Sequence, residues 1–315
     1  MNNSVKPLLS VIVPVYNEVE SVVKLHSELL TVLRTLGLPF EIIYIDDGST
    51  DNTYERLISL VQIKIIRFRR NFGQTAAMDA GIKVTTGDYL IMLDGDGQND
   101  PADIPQLIEK LEREKLDVVS GWRKIRRDNF SKRFFSLVAA FLRKLLINDG
   151  IHDSGCTLKV YRRECFDGVD LMGEMHRFIP ALLKIRGFKI GEMKVNHRPR
   201  LVGKTKYTWR RGLKGILDMM SVWFWQKYAS RPLHLFGGLG FLFGLVGVFS
   251  LVTLFVLRLF YFVTLADKIW PLISIFMILM GVNFFISGIL ADIMVKDYFK
   301  NNRRDYYLIA ETKEQ

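Results

Sequence analysis

DYLIMLDGDGQNDP, residues 88–101, begins as an apolar run and ends as a cluster of acids and amides. An apolar run of this length reads as a buried strand, and whatever follows it directly lies at the carboxyl edge of a sheet. Asp94, Asp96 and Gln98 alternate, so an extended loop would point three oxygen-bearing side chains the same way. Two carboxylates that close repel each other unless a cation or a proton intervenes. The residues alone leave a solvated turn, a calcium loop, or a site that holds a divalent metal against a phosphate. A calcium loop needs a longer ligand series with an acid at its twelfth position, which counted from Asp94 is Pro105. Oxygen ligands in this number suit Mg²⁺ or Mn²⁺, which usually combine one or two carboxylates with substrate phosphates.

Outward from this loop, strands and helices alternate. LLSVIVPVY (8–16), FEIIYID (40–46), QIKIIRF (62–68) and DVVSG (117–121) read as further strands. Apolar residues from Val22 to Leu36 recur at helical spacing until Gly37. QTAAMDAGIKV (74–84) and the stretch from Ile104 to Glu114 predict two more helices, and a shorter one is expected around Tyr54–Val61. This order implies an α/β fold, a Rossmann-like, mainly parallel sheet with helices on both faces. Ligands bind beyond the carboxyl ends of such strands, which brings PVYNE (14–18), DDGSTDNT (46–53) and DGDGQNDP (94–101) together. Asp46 and Asp47 could hold ribose hydroxyls or base edges there, or one of them could cap a helix, as Asp51 could. Neither GxGxxG nor GxxxxGK[ST] occurs in this region, which argues against a dinucleotide fold or a P-loop NTPase. HDSGCTLKVYRREC (152–165) shows no clear period; a helix near Arg177–Ile185 and a strand near Lys189–Val195 follow it.

The last third changes character. Leu235–Leu257 and Ile269–Ala291 hold no charged side chain, and each exceeds the roughly 20 residues that cross a bilayer core as a helix. They predict a two-helix transmembrane hairpin. Lys227 and Arg231 precede it, Lys296, Lys300, Arg303 and Arg304 follow it, and the linker carries only Arg258 and Lys268. The positive-inside rule then expects residues 1–206 as a cytoplasmic domain, 207–232 as an amphipathic juxtamembrane segment, and 233–258 and 269–292 as spans. Residues 259–268 form the outer loop and 293–315 a cytoplasmic tail of a multi-pass inner-membrane protein. MNNSVKPLLS lacks the features of a cleavable signal, so the domain is not expected to be exported. Cys156 and Cys165 are expected to be reduced packing residues. Gly240 and Gly244 form a GxxxG that could pack helices within or between copies, and Asn283 is expected to bond between helices.

The net charge of +11 is uneven: Trp122–Lys144 holds eight Lys/Arg against one acid, and Lys184–Lys214 eleven against one. Beside a membrane hairpin such clusters favour phosphate and lipid headgroups, not nucleic acid.

PVYNE, DDGSTDNT, NFGQTAAMDAG, DGDGQNDP and HRPRLVGKTKY, in this order, resemble a family 2 glycosyltransferase of the GT-A fold. GKTKY and the hairpin narrow the resemblance to polyprenyl-phosphate glycosyltransferases, the group of dolichyl-phosphate mannose synthases, bactoprenol glucosyltransferases and undecaprenyl-phosphate aminoarabinose transferases. The resemblance implies that Pro14, Tyr16, Glu18 and Asp47 hold the nucleotide of a sugar donor, and that Asp94, Asp96 and Gln98 hold Mg²⁺ or Mn²⁺ with its diphosphate. It assigns Arg123, Arg133 and Ser136 to the acceptor phosphate and Arg200 and Lys206 to the donor diphosphate, with Asp96, Asp153 and Arg123 nearest the chemistry. Two positions depart from the pattern. Gly95 stands where Ala is common, which should not disturb ligation, and Thr157 stands where several relatives carry Arg, which weakens the match at Asp153.

Relatives that glycosylate hydroxyls need a general base, whereas Met175 occupies the position of that acid in GEMHRF. A phosphate acceptor is already anionic near neutral pH and needs arginines more than a base. The expected reaction is inverting transfer from UDP-glucose or a similar donor to undecaprenyl phosphate, with GDP-mannose as the alternative donor and a homo-oligomer as the possible assembly. The rivals are a processive synthase, which would need a base, a QxxRW-like segment and more spans, and a non-catalytic scaffold or flippase partner, for which ordered acids at three strand ends would be superfluous.

Overall fold

The structure, a computed structural model, describes residues 8–123, 150–171, 173, 175–199, 220, 223–224, 227–228, 231–261 and 268–301. The chain divides into two compact units, Met1–Val222 and Trp223–Gln315.

The first unit is built on seven strands: β1 (Leu9–Val15), β2 (Phe40–Asp46), β3 (Lys64–Arg67), β4 (Tyr89–Met92), β5 (Val118–Trp122), β6 (Lys159–Arg162) and β7 (Ile190–Lys194). They lie in the order β3-β2-β1-β4-β6-β5-β7. The seven side chains of β1 are all buried, as its unbroken apolar run requires of a central strand. Successive residues face opposite ways. Val11, Val13 and Val15 meet Leu25, Leu29 and Leu33 of α1 (Val22–Thr35) and Leu107 and Leu111 of α4 (Ile104–Arg113). Ile12 meets Ala77 and Met78 of α3 (Gln74–Val84), on the face that also packs Ile179 and Leu183 of α5 (Ile179–Ile185). A short α2 (Thr53–Ile58) follows the β2 loop.

The irregular HDSGCTLKVYRREC supplies β6, the one antiparallel strand among those described. Four residues with a lysine and an arginine at the ends are too short and too charged to show a strand period. Met92 pairs with Lys159, so the loop before β6 enters beside the carboxyl end of β4. The sheet order also reverses between β1 and β4, the kind of position beyond which open α/β sheets bind ligands.

The second unit holds α6 (Pro232–Tyr261) and α7 (Trp270–Asn301), both long and apolar enough to cross a membrane. Only 11% and 17% of their most apolar windows are buried, so they are not core helices of this unit. Their pairing is antiparallel and close: a Cβ on Gly240 would lie 2.7 Å from the Gly281 carbonyl oxygen, and one on Gly247 would lie 2.8 Å from that of Ser274. Gly244 also packs on Gly281, so the GxxxG pair serves the contact inside the hairpin. Among the described residues an interhelical hydrogen bond joins Ser250 and Ser274, 2.7 Å apart, while Asn283 is exposed.

Candidate active site

The loops after β1, β2 and β4 are bonded into one surface. Asn17 adopts φ 57 and its backbone N–H donates to Ser49 Oγ at 3.0 Å, while Thr50 N donates to Asn17 Oδ1 at 2.8 Å. The N–H of Glu18 donates to Thr53 Oγ1 at 2.8 Å. Ser21 reaches furthest, donating from Oγ to the carbonyl of Gly95 at 2.8 Å. Gly48 has φ +69, and a Cβ there would overlap the Arg70 backbone, so only glycine lets the β2 loop approach the segment after β3. These loops border a groove of about 560 Å³ lined by Tyr16, Gly48, Ser49, Arg67, Arg70 and Asn71. Tyr16 is 39% exposed there.

The two acids at the end of β2 are both tied to neighbouring groups. Asp46 is fully buried, accepts from Ser49 N at 2.9 Å and sits 3.5 Å from Arg67 Nε. Asp47 accepts from Phe72 N at 2.7 Å and Gly73 N at 2.9 Å, which sets the start of α3. Burial pushes the Asp47 carboxyl above its ordinary value, and the two N–H bonds offset part of that.

Asp94, Asp96 and Gln98 do share one loop, but it is a turn and not an extended segment. Gln98 N donates to Asp96 Oδ1 at 3.0 Å, a local bond that an acid two residues earlier readily accepts. Gln74, at the start of α3, donates to Asp94 Oδ1 at 2.5 Å. Burial, reinforced by the nearby Asp96 charge, pushes the Asp94 carboxyl up to about 6, while Thr157, Lys159 and Arg123 pull the other way. Among the described residues no three His, Cys, Asp or Glu side chains cluster as a ready-made metal cage. Asp94 and Asp96 offer two nearby carboxylates and Gln98 an amide, oxygen groups of the kind that suit a cation completing its shell with substrate phosphate.

The loop before β6 brings the next layer. Arg123 donates from Nε to Asp153 Oδ2 at 2.7 Å, from NH2 to Oδ1 at 3.0 Å, and from its backbone N to Oδ2 at 3.2 Å. Arg123 and Asp153, two of the three residues expected nearest the chemistry, are thus a bidentate, largely buried pair. Sequence reasoning missed Lys159, 3% exposed, whose Nζ donates to the carbonyls of Cys156 and Ser154. Burial draws its pKa down, and the charges of Asp153 and Asp94 oppose that shift. A lysine directly before the apolar pair Val160 and Tyr161 was the available signal. Thr157, in the position of an arginine in relatives, accepts from Asn99 Nδ2 at 2.8 Å. Cys156 and Cys165 are buried, and burial raises both thiols, to about 11 and about 12.

Pro14, one residue before the end of β1, lies against the loop after β4: a Cβ on Gly95 would lie 3.2 Å from its carbonyl oxygen. Glu18 accepts from Ser21 Oγ at 3.0 Å. Arg133, Ser136, Arg200 and Lys206, and most of the 207–232 segment, lie outside the described residues.

A 3-2-1-4-6-5-7 sheet with acids on the strand-end loops flanking its reversal point defines a nucleotide-sugar transferase of the GT-A type. The chain belongs to Glycosyl transferase family 2, whose profile matches residues 10–169, and it is a glycosyltransferase. It is 37% identical to the dodecaprenyl-phosphate galacturonate synthase of Rhizobium johnstonii, over 98% of this chain and 94% of that one. Solved structures share the fold at lower identity. Mannosyl-3-phosphoglycerate synthase from Rubrobacter xylanophilus superposes with a TM-score of 0.60 at 18% identity, covering 70% of this chain and 75% of its own. Glucosyl-3-phosphoglycerate synthase from Mycobacterium tuberculosis, in complex with Mn²⁺ and uridine-diphosphate-glucose, gives 0.55 at 19%, covering 69% and 79%.

Proposed function

We propose that the protein transfers a sugar, with inversion, from a nucleoside diphosphate donor to the phosphate of a polyprenyl phosphate at the cytoplasmic face of a membrane. The observation that carries this reading is the near end-to-end similarity to a dodecaprenyl-phosphate galacturonate synthase, in a chain whose two apolar helices are also present. The position of a hydroxyl-activating acid is filled by Met175, as suits an acceptor that arrives already ionised.

In this reading the nucleoside lies in the groove beside Tyr16, and the diphosphate reaches toward the loop after β4. Asp94, Asp96 and Gln98 would hold Mg²⁺ or Mn²⁺, which when bound supplies positive charge to the leaving diphosphate. Arg123, oriented by Asp153, offers its remaining N–H groups to the acceptor phosphate, with Arg133 and Ser136 as further contacts and Arg200 and Lys206 on the donor side. A phosphate oxygen of the lipid attacks the anomeric carbon as its bond to the diphosphate oxygen breaks. No proton has to move in that step, so positioning and charge stabilisation supply the rate.

The test is a donor panel of UDP-galacturonate, UDP-glucose and GDP-mannose with purified full-length protein, undecaprenyl phosphate and Mn²⁺. One donor should label the lipid, and Asp96→Ala should cut that labelling on the order of 100-fold while the protein stays folded. Full metal-independent activity in Asp96→Ala would sink the metal role, and the absence of lipid labelling with every donor would sink the acceptor.

A further inference from the structure

We propose that Arg198 is a positioning residue for the cation-binding loop, acting through the backbone of Gln98 and the side chain of Asp100. The proposal rests on the metal-dependent reading above. Its guanidinium joins two carboxylates from distant parts of the chain: NH1 lies 2.6 Å from Glu28 Oε2 on α1, and NH2 lies 2.8 Å from Asp100 Oδ1 at the end of the loop. Its backbone N donates to the Gln98 carbonyl at 2.9 Å, and His197 bridges to Asn99. Two residues earlier, Asn196 donates from N and Nδ2 to the buried Asp103 at 2.7 and 3.1 Å.

With Ser21 holding Gly95 from the α1 side, these anchors fall at 95, 98, 99, 100 and 103. Between the anchors at 95 and 98 lie Asp96 and Gly97, where the turn presents its carboxylate. Behind Gly97 lies a cavity of about 210 Å³ that Ser21, Lys24, Leu25, Glu28 and Arg198 also line. Gly97 is therefore backed by space rather than by packed side chains, and the Arg198 guanidinium lines that space and bridges Glu28 to Asp100. A planar fork can serve two carboxylates at once, which a lysine's single ammonium does less well. Partners that orient metal ligands in this way are worth roughly 10- to 100-fold in metal affinity.

The experiment compares full-length wild type with Arg198→Gln, Arg198→Lys and Glu28→Gln. It measures Mn²⁺ binding by electron paramagnetic resonance in the presence of UDP, and the Mn²⁺ concentration for half-maximal transfer. Arg198→Gln should weaken Mn²⁺ binding about tenfold or more, raise the half-maximal concentration in parallel, and leave the rate at saturating Mn²⁺ within about threefold of wild type. Arg198→Lys should recover part of the loss, and Glu28→Gln should show a smaller shift of the same kind, which keeps the test decisive if Arg198→Gln does not fold. Unchanged Mn²⁺ affinity in both Glu28→Gln and the folded Arg198 variants, with wild type still binding Mn²⁺, overturns the role of Arg198 alone. Failure of wild type to bind Mn²⁺ with UDP overturns this proposal together with the metal reading on which it rests.

Discussion

Gly95 separates Asp94 from Asp96 and touches the end of β1. A Cβ there would stand 2.5 Å from Val15 Cγ1 and 3.2 Å from the Pro14 carbonyl oxygen. Val15 is β-branched and buried, so it has little room to give. The alanine that is common at this position in relatives is therefore not interchangeable with glycine here. Gly95→Ala should lower stability by about 1–3 kcal/mol in thermal denaturation, as overpacking does, and an unchanged melting temperature would show that β1 yields. Asp153 makes a second prediction at this scale. Removing one partner of a buried ion pair leaves the other charge uncompensated, so Asp153→Ala should cost about 3–5 kcal/mol. The same melts measure it, and a loss below about 1 kcal/mol would place Arg123 in solvent.

Among the elements, those with a clean period were legible. FEIIYID and QTAAMDAGIKV became β2 and α3 with the same bounds, because a run of β-branched residues and a helical stretch opened by Gly73 leave no competing arrangement. β6 was not legible, since four residues with buried Lys159 at one end give no alternation to read. The turn at Gly95 and Asp96 was also hidden: an alternating sequence reads as extended unless the Gln98-to-Asp96 bond is known. The Arg198–Glu28 contact lies 170 residues apart in the chain, beyond any local pattern. Element ends carry a pH prediction too. Glu41 on β2 accepts from Ser10 Oγ at 2.6 Å, Thr86 N at 2.7 Å and Thr86 Oγ1 at 3.1 Å, tying β1 and the turn before β4 to it. Burial would raise its carboxyl, but these hydrogen bonds and the Lys64 charge outweigh burial and hold it below the ordinary glutamate value. A depressed acid stabilises the fold above its unfolded value and loses that contribution as pH falls through the folded one. Glu41→Gln should therefore destabilise the protein at pH 7 and flatten the loss of stability below about pH 4.3. Equal acid slopes in the two proteins would refute the assignment.

At the scale of the whole molecule, an arginine-rich catalytic unit is followed by two apolar helices whose glycines and serines are spent on each other. Their remaining surface is mostly Leu, Phe, Val and Ile. The protein should stay in the membrane pellet through high salt and alkaline carbonate and leave it only with detergent. Release by salt alone would mean that basic patches, not the hairpin, hold it there. The Arg198 contact has a consequence for how the enzyme is made. Glu28 leaves the ribosome early and waits for a partner 170 residues behind it. Thirty-four residues separate Arg198 from Pro232, where the first membrane helix starts. At about 5–20 residues per second that interval lasts roughly 2 to 7 seconds. The Arg198–Glu28 contact can thus first form at nearly the moment at which the nascent chain exposes its first apolar helix, so that closure of the loop after β4 and emergence of that helix fall within one short window of synthesis.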